Sequence, residues 1–139
     1  NIIGVKEASS DFTQITTIID KAPDGFNVWS GNDDETFPIM CVGGYGIVSV
    51  ASHILGTQIK TMMGYILDGN LESAAIEHKR LLPIFKALFW VTNPIPVKYA
   101  VNRHGFNAGI HRLPLCEPDQ SFIDSFNPVM DSYNIDLSV

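Results

Sequence analysis

Cysteine is scarce in this sequence. Cys41 and Cys116 are the only two, they lie far apart, and neither has metal-type spacing. A disulfide framework is therefore not expected, and a reducing cytoplasm with both thiols free is the simplest home. Positive charge is also in short supply: nine Lys and Arg stand against 15 Asp and Glu, for a net charge of −6. That balance argues against nucleic acid or an anionic membrane as the main partner. No apolar run is long enough to span a bilayer, and nothing resembles a cleavable signal. There is no GxGxxG and no Walker-type loop. Gly43-Gly44-Tyr45-Gly46 is glycine-rich but follows a helical pattern, the wrong order for cradling phosphate. The four histidines, His53, His78, His104 and His111, form no i,i+4 pair, so no metal site is expected.

The 139 residues are 45% hydrophobic and 17% charged, with a mean hydropathy of +0.12. That composition excludes disorder over most of the length and fits a folded domain of ordinary size. The chain opens at Asn1-Ile2-Ile3-Gly4, inside a strand pattern, with no methionine, cap or polar lead. This reads as a piece whose N-terminal part lies elsewhere.

Ile2 to Ala8 is a short β-branched run, the pattern of a strand buried on both faces as in a parallel sheet. Ser9-Ser10-Asp11 offers cap chemistry for a helix to about Lys21, with Phe12, Ile15, Ile18 and Ile19 at helical spacing. Pro23-Asp24-Gly25 is a turn, and Phe26 to Ser30 reads as a second strand. Gly31-Asn32-Asp33-Asp34 then caps a helix that ends at Gly43-Gly44, and Gly46 to Ala51 reads as a third strand. Strand, helix, strand, helix, strand with short connections means parallel crossovers, in an α/β sheet or barrel. After His53 the pattern becomes helical throughout. One stripe ends at Asp68-Gly69-Asn70, a longer helix from Leu71 to Trp90 should kink at Pro83, a short helix follows Asn93-Pro94-Ile95-Pro96, and a last one runs from Gln120 to Tyr133. Three parallel strands cannot close a barrel, so these residues alone should be weakly stable or self-associated.

Lys6 is the first candidate for chemistry. It lies near the C-terminal end of the first strand, sharing a face with Gly4 and Ala8 while Ile3 and Val5 face the other way. A buried, unpaired ammonium tends to lose its proton, and the neutral amine is a nucleophile towards carbonyls. Gly4 leaves room beside it. The plainer reading is a buried stem whose head reaches water or pairs with Glu7. Gly31 follows the second strand where α/β proteins place ligand loops, although a simple strand-to-helix turn is the plainer account of it. Asn32, Asp33 and Asp34 read as caps. Ser49 has no His or Asp close in sequence to activate it, so a hydrolase is not indicated.

Gly4-Val5-Lys6-Glu7-Ala8-Ser9, Ser30-Gly31-Asn32-Asp33, Gly46-Ile47-Val48-Ser49-Val50 and Asn93-Pro94-Ile95-Pro96-Val97-Lys98 resemble, in order and spacing, the successive signatures of the dihydrodipicolinate synthases within the N-acetylneuraminate lyase family of class I aldolases. The resemblance covers the whole chain but only about the C-terminal half of a family member. It implies an α/β fold: strands six to eight of a (β/α)8 barrel over residues 1–69, then a helical C-terminal domain over 70–139. It implies that Lys6 forms a Schiff base with pyruvate, that Gly31 lines the pyruvate pocket, and that the backbone carbonyl of Val48 faces the lysine, where the family often has Ile. Asn32 stands where many members have Asp. The second substrate would be L-aspartate semialdehyde, the pathway lysine biosynthesis, and the assembly a homotetramer or homodimer. No cofactor is implied beyond the covalent imine.

The family's proton relay, its acceptor-carboxylate arginine and most of its lysine-feedback site lie upstream of these residues. The isolated piece is therefore expected to be inactive or nearly so. The sister readings are N-acetylneuraminate lyase, a 2-keto-3-deoxy sugar acid aldolase, and a non-catalytic oligomerisation module. Any enzymatic reading requires the Lys6 amine to be sheltered from bulk solvent inside a completed barrel and directed away from the outer helices.

Overall fold

A computed structural model describes residues 1–137. Its three parallel strands lie in the order β1 (Gly4–Glu7), β2 (Asn27–Ser30), β3 (Gly46–Ile47). Gly4 pairs with Asn27, Lys6 with Trp29 and Glu7 with Ser30; on the other side Trp29 pairs with Gly46 and Ser30 with Ile47. Helix α1 (Phe12–Lys21) links the first two strands, and α2 (Thr36–Cys41), preceded by a 3-10 turn at Asp33–Glu35, links the second and third. Then come α3 (Ser52–Leu67), α4 (Leu71–Ala87), α5 (Ile95–Arg103) and α6 (Gln120–Met130).

Local chemistry sets most of these boundaries. Asp11, Asn70 and Asp119 each accept a backbone N–H in the first turn of α1, α4 and α6. Gly43 (φ +103°) and Gly69 (φ +75°) supply the left-handed residues that close α2 and α3. Leu71–Ala87 continues through Pro83 and ends before the expected Trp90; the non-helical backbone falls instead at Leu55, inside α3. The last helix likewise stops at Met130, short of Tyr133.

The third strand is shorter than Gly46 to Ala51. After Ile47, the Val48 N–H still donates to the Ser30 carbonyl at 2.9 Å, but the N–H groups of Val50 and Ala51 donate to the Asp33 side chain. A carboxylate has displaced the sheet partner there.

One apolar core is built from α3, α4, α5 and α6, with Ile54, Met62, Leu81, Ile84, Phe126 and Met130 fully buried. Phe122 stacks on Phe126 with ring centroids 5.0 Å apart, and Tyr99 meets both edge-on. Ile47 and Val50 pack against this cluster, so the third strand is anchored to the helical half. Among the described residues no helix is long and apolar enough to cross a membrane.

The expectation of a first strand buried on both faces is not met. Ile2 and Ile3 are 79% and 69% exposed, and Lys6 is exposed as well. The helices pack mainly on one face of the sheet; Met63 of α3 reaches the other at Gly46, which is buried.

Candidate active site

The register assigns the faces. Val5, Glu7, Val28, Ser30 and Ile47 alternate with Gly4, Lys6, Asn27, Trp29 and Gly46. The first set faces the helices. Val28, Ser30 and Glu7 are buried, and Glu7 Oε2 accepts from Gln14 of α1 at 3.3 Å while Oε1 accepts the Ser9 N–H at 2.7 Å. Lys6 belongs to the second set. It therefore points away from the face on which α1 packs.

Carrying the register one residue further puts Ala8, Gly31 and Val48 in one row on the Lys6 face. Two backbone bonds across that row support it: Gly31 N–H to the Glu7 carbonyl at 2.7 Å, and Val48 N–H to the Ser30 carbonyl at 2.9 Å. The three residues singled out by sequence thus meet at the C-terminal ends of neighbouring strands. Gly31 is fitted to Lys6: a Cβ there would lie 2.6 Å from Ala8 Cβ, 2.9 Å from Lys6 Cε and 3.1 Å from the Glu7 carbonyl oxygen. Any side chain at 31 would have to displace the lysine stem and collide with the neighbouring strand.

Three expectations need correcting. Lys6 is exposed rather than dry. It does not pair with Glu7, which lies on the opposite face and is engaged by Ser9 and Gln14. The space over Gly4 is not left for Lys6 either. A Cβ at Gly4 would come within 2.2 Å of the Trp29 ring, so the glycine accommodates that indole. Trp29 in turn meets Tyr45 edge-on at 5.3 Å.

The loop after β2 also departs from simple capping. Neither Asn32 nor Glu35 caps the turn or helix that follows it. The Asn32 amide instead donates to Ser10 Oγ at 3.2 Å and to Glu35 Oε2 at 2.8 Å, joining the β1 and β2 loops. A carboxylate at 32 would have no proton to give either acceptor and would face Glu35 with like charge. Ser10 holds φ +60°, a left-handed conformation uncommon outside glycine, Asn and Asp. Asp34 forms an ion pair with Lys86 of α4.

Asp33 is the residue that sequence reading missed. It is 2% exposed and bonded to Ser49 Oγ, and its other oxygen accepts from Val50 N–H at 3.2 Å and Ala51 N–H at 3.1 Å. Ser49 thus has an acidic partner after all, sixteen residues away. Burial pushes the Asp33 carboxyl up from its ordinary range, against the hydrogen bonds from Ser49, Ala51 and Val50; the charge of Asp34 acts with burial. Hydrogen bonds from Ser9 hold Glu7 below its ordinary range, against its own burial. Only long-range folding brings 33 and 49 together, so no local signal in the sequence could have marked the pair.

Among the described residues no group of His, Cys, Asp and Glu is placed to hold a metal ion. A cavity of about 820 Å³ lies between the start of α3 and α5, beside His53, Asn93 and Lys98, and is lined by none of Lys6, Gly31 and Val48.

The chain matches the model of the dihydrodipicolinate synthetase family over residues 1–131. It is 46% identical over 139 residues to a 4-hydroxy-tetrahydrodipicolinate synthase of Dehalococcoides mccartyi, covering 100% of this chain and 47% of the relative. It is 49% identical over 115 residues to the enzyme of that name from Bacillus subtilis, covering 83% and 40%. Its structure superposes on dihydrodipicolinate synthase from Aquifex aeolicus with a TM-score of 0.93 and 34% identity, covering 100% of this chain and 47% of that one. The same enzyme from Thermotoga maritima gives a TM-score of 0.88 and 40% identity, covering 94% and 45%. The chain spans about half the length of the curated relatives it matches.

Proposed function

Because this chain belongs to the dihydrodipicolinate synthetase family, we propose that its 139 residues form the C-terminal half of a 4-hydroxy-tetrahydrodipicolinate synthase, with Lys6 as the Schiff-base nucleophile. Residues 1–69 supply strands six to eight of a (β/α)8 barrel with their helices, and residues 70–139 the helical C-terminal domain, although the apolar core runs across the turn at Gly69. The bare face of the sheet is the barrel interior. The remaining strands, carried by the other half of such an enzyme, cover it and give Lys6 the shelter that its chemistry requires. The observation that carries this reading is the single row at the strand ends in which Gly31 is shaped around the Lys6 stem.

In the reaction, the neutral Lys6 amine adds to the keto carbon of pyruvate. Water leaves, and a protonated imine forms on Nζ. That cation withdraws electrons, so a methyl proton is lost to give an enamine, whose carbon attacks the aldehyde of L-aspartate semialdehyde. The amino group of the semialdehyde then attacks the imine carbon, closing the ring and expelling the Lys6 amine, which frees the heterocyclic product of the lysine pathway. Gly31 gives the Lys6 stem its path past the end of β2, and likeness to the family assigns the Val48 backbone carbonyl the side of the pocket facing the lysine. Asn32, bonded to Ser10 and Glu35, shapes the loop and takes no proton. The relay and the acceptor-carboxylate site belong to the other half, as does the covalent completion of the barrel. The full-length enzyme works as a homo-oligomer with pyruvate and the semialdehyde as partners and no cofactor besides the imine. The names of the relatives favour this synthase over the sister aldolases.

Replacing Lys6 with Ala in the full-length protein tests the proposal. Condensation of pyruvate with the semialdehyde should fall by several orders of magnitude while the oligomer survives. Retained turnover would refute the assignment.

A further inference from the structure

Asp33 has more hydrogen bonds than a loop residue needs for solubility, and their placement is informative. It lies two residues after Gly31, while its partners Ser49, Val50 and Ala51 begin one residue after Val48. Both of its oxygens accept: one from Ser49 Oγ, the other from two backbone N–H groups. Ser49 Oγ in turn accepts the Ser52 N–H at 2.8 Å at the start of α3, which commits the hydroxyl proton to Asp33. On the β2 side, Ser30 Oγ donates to the Asn32 carbonyl at 2.7 Å and Thr36 Oγ1 to the same oxygen at 3.2 Å, so the loop that carries Asp33 is itself fixed. Asp33 and Ser30 are buried, and both Asp33 oxygens are engaged by the Ser49–Ala51 segment.

From this arrangement we infer that Asp33 is a positioning residue: through Ser49 it locks the loop bearing Gly31 to the loop bearing Val48, and so sets the gap over Lys6 in which the imine forms. The inference deepens the proposed function and rests on the Lys6 assignment. It also explains why β3 stops at Ile47: Val50 and Ala51 give their N–H groups to Asp33 instead of to a sheet partner. A purely structural anchor would change stability and leave the chemistry of the folded protein alone. An anchor that sets the pocket changes the rate at which Lys6 captures a keto acid.

The test measures the rate of borohydride-trappable imine formation with saturating pyruvate in the full-length protein, beside its thermal midpoint. In Asp33→Asn the amide keeps one oxygen for the two backbone donors but offers Ser49 a donor where it needs an acceptor. Ser49→Ala deletes the bridge from the other side, and Ser49→Thr keeps the hydroxyl. Trapping in folded Asp33→Asn and Ser49→Ala should slow at least tenfold, and Ser49→Thr should stay within about threefold of the parent. Should Asp33→Asn fail to fold, the Ser49 pair decides alone. Trapping within twofold of the parent in folded Ser49→Ala would overturn the inference while leaving Lys6 in place. A parent that traps nothing on Lys6 would overturn the underlying assignment and this inference with it.

Discussion

The two faces of the small sheet differ in almost every respect, although they alternate residue by residue along the same three strands. The helix-facing set, Val5, Glu7, Val28, Ser30 and Ile47, is packed, and its polar members are bonded at short range. The opposite set is more open: Lys6 is exposed and Val48 is 48% exposed, while Trp29 and Gly31 are half-buried and Gly46 is buried. Stability in this chain therefore comes from one face and from the helices behind it. The other face contributes little to holding these residues together and holds the residues with chemical potential. A site of this kind needs precise backbone placement without its own core, and Asp33, Asn32 and Gly31 supply that from the loops.

Core truncation should break the contrast most visibly. Phe126→Ala, behind the packed face, should cost about 3–5 kcal/mol in urea unfolding, whereas Val48→Ala on the bare face should change stability by less than about 0.5 kcal/mol. Equal losses would mean that the faces are not energetically distinct. Gly31→Ala comes next. The collision of its Cβ with Ala8 and the Lys6 stem should cost about 1–3 kcal/mol, and the same variant should slow imine trapping in full-length protein.

The two buried carboxyls should respond to pH with opposite sign. Glu7, held below its ordinary range, contributes stability that is present above pH 4.5 and lost as pH falls through its folded value. Asp33, held above its range, favours the protonated folded form, so its contribution is present below pH 3.8 and declines as pH rises through its folded value. Denaturation curves of Glu7→Gln should then show a shallower acid loss than the parent, and those of Asp33→Asn a shallower decline on the rising side. A common sign for both would contradict these environments. The smallest effect is expected at Ser10. Ser10→Gly relieves a left-handed residue but removes the acceptor for Asn32, for a net gain of no more than about 1 kcal/mol.

What the sequence disclosed follows from the range of the interactions involved. The helix start at Asp11, the stops at Gly43 and Gly69, and the parallel order of three strands are local or periodic signals, and all are present in the structure. Alternation set Lys6 with Gly4 and Ala8, but only the register and the Ser9 and Gln14 bonds put Glu7 out of its reach. The burial of Lys6 was not, because shelter depends on what lies across the sheet rather than on the strand itself. The length of β3 was hidden for a related reason: whether Val50 and Ala51 bond to a strand or to a carboxylate depends on Asp33, which reaches them only after the β2 loop has folded. Composition and spacing likewise left Gly31 as an ordinary turn. Its close approach to the Lys6 stem became visible only once two strands were in register.

Reductive trapping bears most directly on the central claim. Pyruvate and borohydride are applied to the full-length protein, and the modified peptide is mapped by mass spectrometry. The account predicts one pyruvate-derived adduct on the peptide containing Lys6, absent from Lys6→Ala. An adduct on another lysine, or labelling spread evenly over the exposed lysines, would contradict it.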